Sequence, residues 1–130
     1  MNILFIHEVD WLRKVVFEMH TLSELLSLSG HQVYVIDYES MWVKHKRLDF
    51  GTLRTKTLNR VARAYSEASV CLRRPGFIKI PGLSRLSAAF SHYREIQKII
   101  KEKDIDILIL YSIATNGLQT ICLGRSLEFL

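Results

Sequence analysis

Two short apolar runs separated by one helical stripe occupy the first 36 residues, and that order leaves few folds open. Asn2-Ile3-Leu4-Phe5-Ile6 is apolar throughout after Asn2, which suits a strand covered on both faces in a parallel sheet. Leu12, Val15, Val16, Met19, Leu22, Leu25 and Leu26 then recur at three- and four-residue steps, predicting the apolar stripe of an amphipathic helix. Asp10 is its expected N-cap, because a carboxylate there accepts from an unpaired first-turn N–H. Gly30 is its expected stop, supplying a left-handed cap. Val33-Tyr34-Val35-Ile36 reads as the second strand, ending at Asp37. A strand, helix and strand in this order make a βαβ unit, whose crossover is right-handed almost without exception.

The pattern fades from Tyr38 to Phe50, where an irregular loop or short helix is expected. Leu58, Val61, Ala62, Tyr65, Ala68, Ser69 and Leu72 keep helical spacing, so a helix is predicted near 55–72, ended by a turn at Arg73-Arg74-Pro75-Gly76. Phe77-Ile78-Lys79-Ile80 reads as a short strand. Leu86, Ala89, Phe90, Tyr93, Ile96 and Ile100 predict a long helix near 83–102, with Lys98, Lys101 and Lys103 at its negative end. Residues 105–111 read as another buried strand, 112–116 as a loop, and 117–127 as a last helix. Alternating strands and helices predict an α/β domain, a doubly wound, Rossmann-like parallel sheet flanked by helices. At 130 residues it is one domain.

Cys71 and Cys122 lie far apart without C-x-x-C spacing and read as buried thiols of a reduced compartment. No run approaches the roughly 20 apolar residues of a membrane span, and the first strand is too short for a signal peptide. The expectation is a cytoplasmic protein. Its net charge of +5 is uneven. Residues 1–41 carry two basic and six acidic side chains, whereas 42–104 carry fifteen basic and five acidic. Such a middle fits either solvated helix faces or an anionic neighbour. Arg54, Lys56, Arg60 and Arg63, extended by Arg73, Arg74, Lys79 and Arg85 with Tyr65, Phe77 and Leu83 interleaved, could dock on anionic lipid at the inner membrane face. No nucleic-acid reading motif accompanies the charge.

Ligands of open parallel sheets bind beyond the carboxyl ends of the strands, where strand order reverses. That rule selects His7-Glu8-Val9-Asp10-Trp11, Asp37-Tyr38-Glu39, and the stretch containing Tyr111, Ser112 and Asn116. His7 could move a proton, Glu8 or Asp10 could hold a sugar hydroxyl, and Trp11 could stack on a sugar ring. Against this, Asp10 also reads as a helix cap and Trp11 as a packing residue, which is the favoured reading for both. His20, His31, His45 and His92 have no partner at metal-ligand spacing and read as surface residues. Neither a G-x-G-x-x-G turn nor a P-loop follows the first strand, and no G-x-S-x-G elbow exists. No metal or cofactor is expected.

The opening strand, the long helix ending Leu25-Leu26-Ser27-Leu28-Ser29-Gly30-His31-Gln32-Val33, and the helix-then-strand segment from Ile96 to Leu110 resemble family 4 (group 1) glycosyltransferases of the GT-B fold. Those enzymes share an L-x-x-x-G-H-x-V element and a later helix followed by an apolar strand. The resemblance implies that 1–130 is the N-terminal, acceptor-side domain. It also implies a donor-binding C-terminal domain outside this sequence, and retaining transfer of a sugar from a nucleotide-sugar donor to an acceptor. It implies too that the family's catalytic His and paired glutamates fall outside 1–130, so no catalytic residue is assigned and this half alone is expected to be inactive. The family's Gly-Gly pair after the first strand is replaced by Val9-Asp10-Trp11-Leu12-Arg13-Lys14. There Arg13 and Lys14 would stand in for backbone amides as anion-binding groups.

Two other readings remain open on the sequence. One is a non-catalytic α/β module that binds an anionic partner. The other is a homodimer formed through an apolar face and sheet edge that a second domain would otherwise cover.

Overall fold

The computed structural model describes residues 1–39, 50–111 and 117–126. Strands β1 (Asn2–Ile6), β2 (Gln32–Ile36), β3 (Lys56–Val61), β4 (Val70–Arg74) and β5 (Ile107–Leu110) form one sheet in the order β3-β4-β2-β1-β5. Helices α1 (Glu18–Leu28), α2 (Ser84–Lys103) and α3 (Gly117–Ser126) flank it. β1 pairs in parallel with β2, Ile3 opposite Val33, and with β5, Ile3 opposite Ile107. β2 pairs in parallel with β4, and only β3 runs antiparallel to its neighbour. The three apolar segments near residues 3, 34 and 108 therefore share a sheet and point the same way, as the periodicity required.

Side chains alternate across a strand, and the core divides accordingly. Ile3, Phe5, Val33, Val35, Val70 and Leu72 pack with Trp11 and Met19 on the α1 side. Leu4, Ile6 and Ile36 pack on the other side with Ile96, Ile99 and Ile100 of α2 and with Leu123 of α3. Gly30 (φ 87) ends α1 as expected, with the His31 N–H donating back to the Leu26 carbonyl. α2 agrees with its predicted span, and Asp104 closes it in the left-handed region.

Several expectations are corrected. The predicted helix at 55–72 is instead β3 and β4. Val70 and Leu72 follow a two-residue period into the core, and pairing with β2 outweighs the helical spacing of the surrounding residues. Arg73 and Arg74 end β4 rather than forming a turn, and residues 77–80 contribute only an isolated bridge, Gly51 to Ile78. The first helix begins at Glu18, not after Asp10. The Asp10 carboxylate does accept from the Leu12 and Arg13 amides, but it closes a separate turn.

α1 also buries a different face from the predicted stripe. Met19, His20, Ser23 and Glu24 are inside, while Leu22 and Leu25 are each 44% exposed. β5 lies at the sheet edge and is half-buried rather than covered on both faces. Cys71 and Cys122 are free thiols, but Cys71 is partly buried and Cys122 exposed. His20 and His92 are fully buried, not surface residues. No helix among the described residues is long and apolar enough to cross a membrane.

Candidate functional site

The chain moves outward from β1 to β2 and β4, then returns through α2 to the other side of β1. Strand order therefore reverses between β1 and β5, and the carboxyl ends there are His7 and Tyr111. The His7 amide donates to the Ile36 carbonyl and the Tyr111 amide to the Ile6 carbonyl, so both residues leave the sheet in register. The Tyr111 hydroxyl donates to Glu18 at 2.8 Å and its ring lies 5.8 Å from Phe17. That hydrogen bond to Glu18 raises the phenol above its ordinary pKa.

Residues 7–17 cross this rim and are pinned by charge. Arg74, at the end of β4, forks to Asp37 through Nε and Nη2 and reaches Asp10 at 2.7 Å through Nη2. The Trp11 amide donates to Asp37 at 3.0 Å. Asp37 is fully buried, and burial pushes its carboxyl above the usual range against the pull of Arg74. Burial works against the Arg74 charge too, yet Asp37 and Asp10 hold its pKa above the ordinary value. Such a network is costly to break from one side, since the remaining charges stay buried.

A second clamp comes from the β3–β4 connection. Arg63 donates to the Trp11 carbonyl at 2.5 Å and to the Lys14 carbonyl at 3.1 Å. Glu24, wholly buried on α1, accepts from the Arg63, Ala64 and Tyr65 amides at 2.6, 2.8 and 2.7 Å. His20 Nδ1 accepts from the Phe17 amide, which puts its proton on Nε2, 2.9 Å from the Trp11 carbonyl. His92 of α2 faces the Asp37 carbonyl at 3.1 Å, and burial lowers its pKa.

Inside this frame His7 is 1% exposed. Its Nδ1 accepts from the Val9 amide at 3.3 Å, so Nε2 carries the proton. Burial, then His20 and Arg74, lowers its pKa to about 4. The ring is thus neutral near pH 7, a hydrogen-bond donor rather than a proton shuttle. Nε2 is buried and has no partner among the described residues, and neither has Nε1 of Trp11, whose ring lies 5.3 Å from that of His7. A buried donor without a partner loses about 1–3 kcal/mol and calls for an explanation.

Of the sequence-selected residues, His7, Glu8, Asp10, Trp11 and Tyr111 gather at or beneath the rim. Arg13 and Lys14 are exposed on its turn. Ser112 and Asn116 lie outside the described residues. The Trp11 ring packs against those of His7 and His20, the packing role rather than the sugar-stacking one, and the Asp10 carboxylate is engaged by Arg74 and two amides. Arg63, Arg74, Glu24 and His20 were missed as rim residues. Arg74 had a legible signal, following the alternating Val70–Leu72 run immediately before Pro75-Gly76. Among the described residues no group of three or more His, Cys, Asp or Glu could hold a metal ion. No protein-family model, curated protein or solved structure matches the chain.

Proposed function

We propose that this domain is the acceptor-side half of a retaining nucleotide-sugar glycosyltransferase of GT-B type. The single observation that carries the reading is the buried His7 Nε2–H, without a partner among the described residues, at the point where strand order reverses. A hydroxyl-rich acceptor would supply the missing oxygen there, and the phenol of Tyr111, tied to Glu18, would form the opposite wall. The family resemblance of the Leu26–Val33 and Ile96–Leu110 segments supports the same assignment. Donor binding and group transfer then belong to a second domain, and residues 1–130 alone transfer no sugar.

Titration of the isotopically labelled protein with simple glycosides and with nucleotide sugars tests this. Glycosides should move the His7 Nε2–H and Tyr111 amide resonances, and His7→Phe should abolish the response. Rim resonances unmoved by any glycoside, or sugar transfer by this chain alone, would overturn the assignment.

A further inference from the structure

A second concave surface lies away from the rim, between the β3–β4 ribbon and α2, in a groove of about 560 Å3. Its construction follows from two periodicities. Phe90, Arg94, Lys98 and Lys101 recur at three- and four-residue steps, so α2 presents one cationic stripe to it. Thr55 and Thr57 alternate on one face of the ribbon, with Arg73 directly across from Thr57. Arg54 completes the rim, giving five cations against one lining carboxylate, Glu95.

That carboxylate is already engaged. Glu95 holds Arg73 at 2.6 Å and accepts from the Thr55 hydroxyl at 2.9 Å. Glu102 lies 3.9 Å from both Arg73 and Lys98, too far for a strong bond to either. Arg94 lies over the Phe90 ring at 5.7 Å. No carboxylate among the described residues comes within salt-bridge distance of Arg54, Arg94 or Lys101. On the floor, Nε of Arg73 is buried and has no partner among the described residues. The donors are therefore guanidinium and ammonium groups on two facing walls, with hydroxyls between them and an unused N–H beneath.

We propose that this groove is an oxyanion site holding a multiply charged phosphoryl group, a soluble di- or triphosphate. Concavity selects that ligand. Cations on opposite walls can grip a compact polyanion from both sides, with bidentate geometry open to the arginines. A flat anionic surface would meet only the exposed rim. The site is separate from the strand-order reversal and does not depend on the sugar-transfer reading.

Titration of the full chain with inorganic tripolyphosphate, followed by calorimetry and amide spectra, is the test. Saturable binding is expected, with shifts centred on Thr57, Ser91 and the Arg73 Nε–H. Affinity should fall as salt rises. The double variant Arg94→Gln/Lys101→Gln should weaken binding by at least about tenfold, since each lost charged hydrogen bond is worth about that much. Arg85→Gln/Arg125→Gln, which removes the same charge elsewhere on the surface, should leave it within about twofold. Equal losses in the two double variants would reduce the effect to net charge and overturn the site. So would wild-type shifts outside the groove, or binding to phosphatidic acid vesicles without binding to tripolyphosphate.

Discussion

Arg74 and Arg94 are both arginines of the basic middle of the chain, yet the two regions they occupy use the charge in opposite ways. At the rim Arg74 is held by Asp37 and Asp10, and Arg63 by two backbone carbonyls, so their guanidinium groups fasten the 7–17 loop to the sheet. In the groove Arg94 is exposed, with an aromatic ring beneath it and no carboxylate of the described residues within salt-bridge distance. Net charge cannot separate the two, because it counts side chains without their burial. Position relative to the strand ends separates them: a cation at a buried carboxyl end must be neutralised, and one on an open helix face need not be.

The contrast breaks most sharply at Arg74. Arg74→Ala leaves Asp10 and Asp37 buried without their cation and should cost about 3–5 kcal/mol of folding stability. Arg94→Ala should stay within about 0.5 kcal/mol. Urea denaturation of the pair checks both values, and similar midpoints for the two variants would show that burial does not sort these cations as argued. Glu24→Ala comes next, at about 3 kcal/mol, because three backbone N–H groups lose a charged acceptor. Hydrogen exchange should report that loss first at the Arg63, Ala64 and Tyr65 amides. Protection there unchanged from wild type would mean that Glu24 does not dock the β3–β4 connection.

Glu24 also shows where sequence reading stops. Of the parallel strands, β1, β2 and β5 were legible because they are continuous apolar runs rich in β-branched residues, whereas β4 was not. The rim was legible as a position, through the rule that ligands meet strand ends. The inner face of α1 was not. Leu22, Leu25 and Leu26 define a plausible apolar stripe, but the helix turns His20, Ser23 and Glu24 inward because His20 meets the Trp11 carbonyl, Ser23 donates to the His20 carbonyl of the helix itself, and Glu24 accepts from the Arg63 amide. The partners of Glu24 lie about forty residues away in the 63–65 turn, beyond the reach of any local periodicity. The 55–72 misreading has the same root, since β4 is a strand because β2 offers it a parallel edge.

Gly76→Ala sharpens the comparison from the groove side. A Cβ there would sit 2.0 Å from the Thr52 carbonyl oxygen and 2.7 Å from that of Arg54, both rigid backbone atoms. The 52–54 segment must shift, at a cost of about 1–3 kcal/mol for an overpacked contact, and Arg54 moves with it. Tripolyphosphate affinity should fall severalfold while the glycoside response of His7 persists. A variant with unaltered stability and anion affinity would show that this close approach does not set the groove's edge.

The mildest effect separates the regions by pH. The folded-state pKa of His7, about 4, lies below its ordinary value of 6.5, so the unfolded chain binds the proton more readily. Stability is therefore complete above about pH 6.5 and declines as pH falls towards 4, by on the order of 1 kcal/mol at pH 5.5 for this residue alone. His20 and His92, both lowered by burial, act in the same direction. His7→Phe should lose its own share of the acid limb and retain theirs, whereas Arg94→Gln should follow the wild-type profile. Urea midpoints between pH 7.5 and 5 measure the difference. If His7→Phe kept the full acid limb, the imidazole would already be charged or solvated in the folded state, and the donor role of Nε2 would lose its basis.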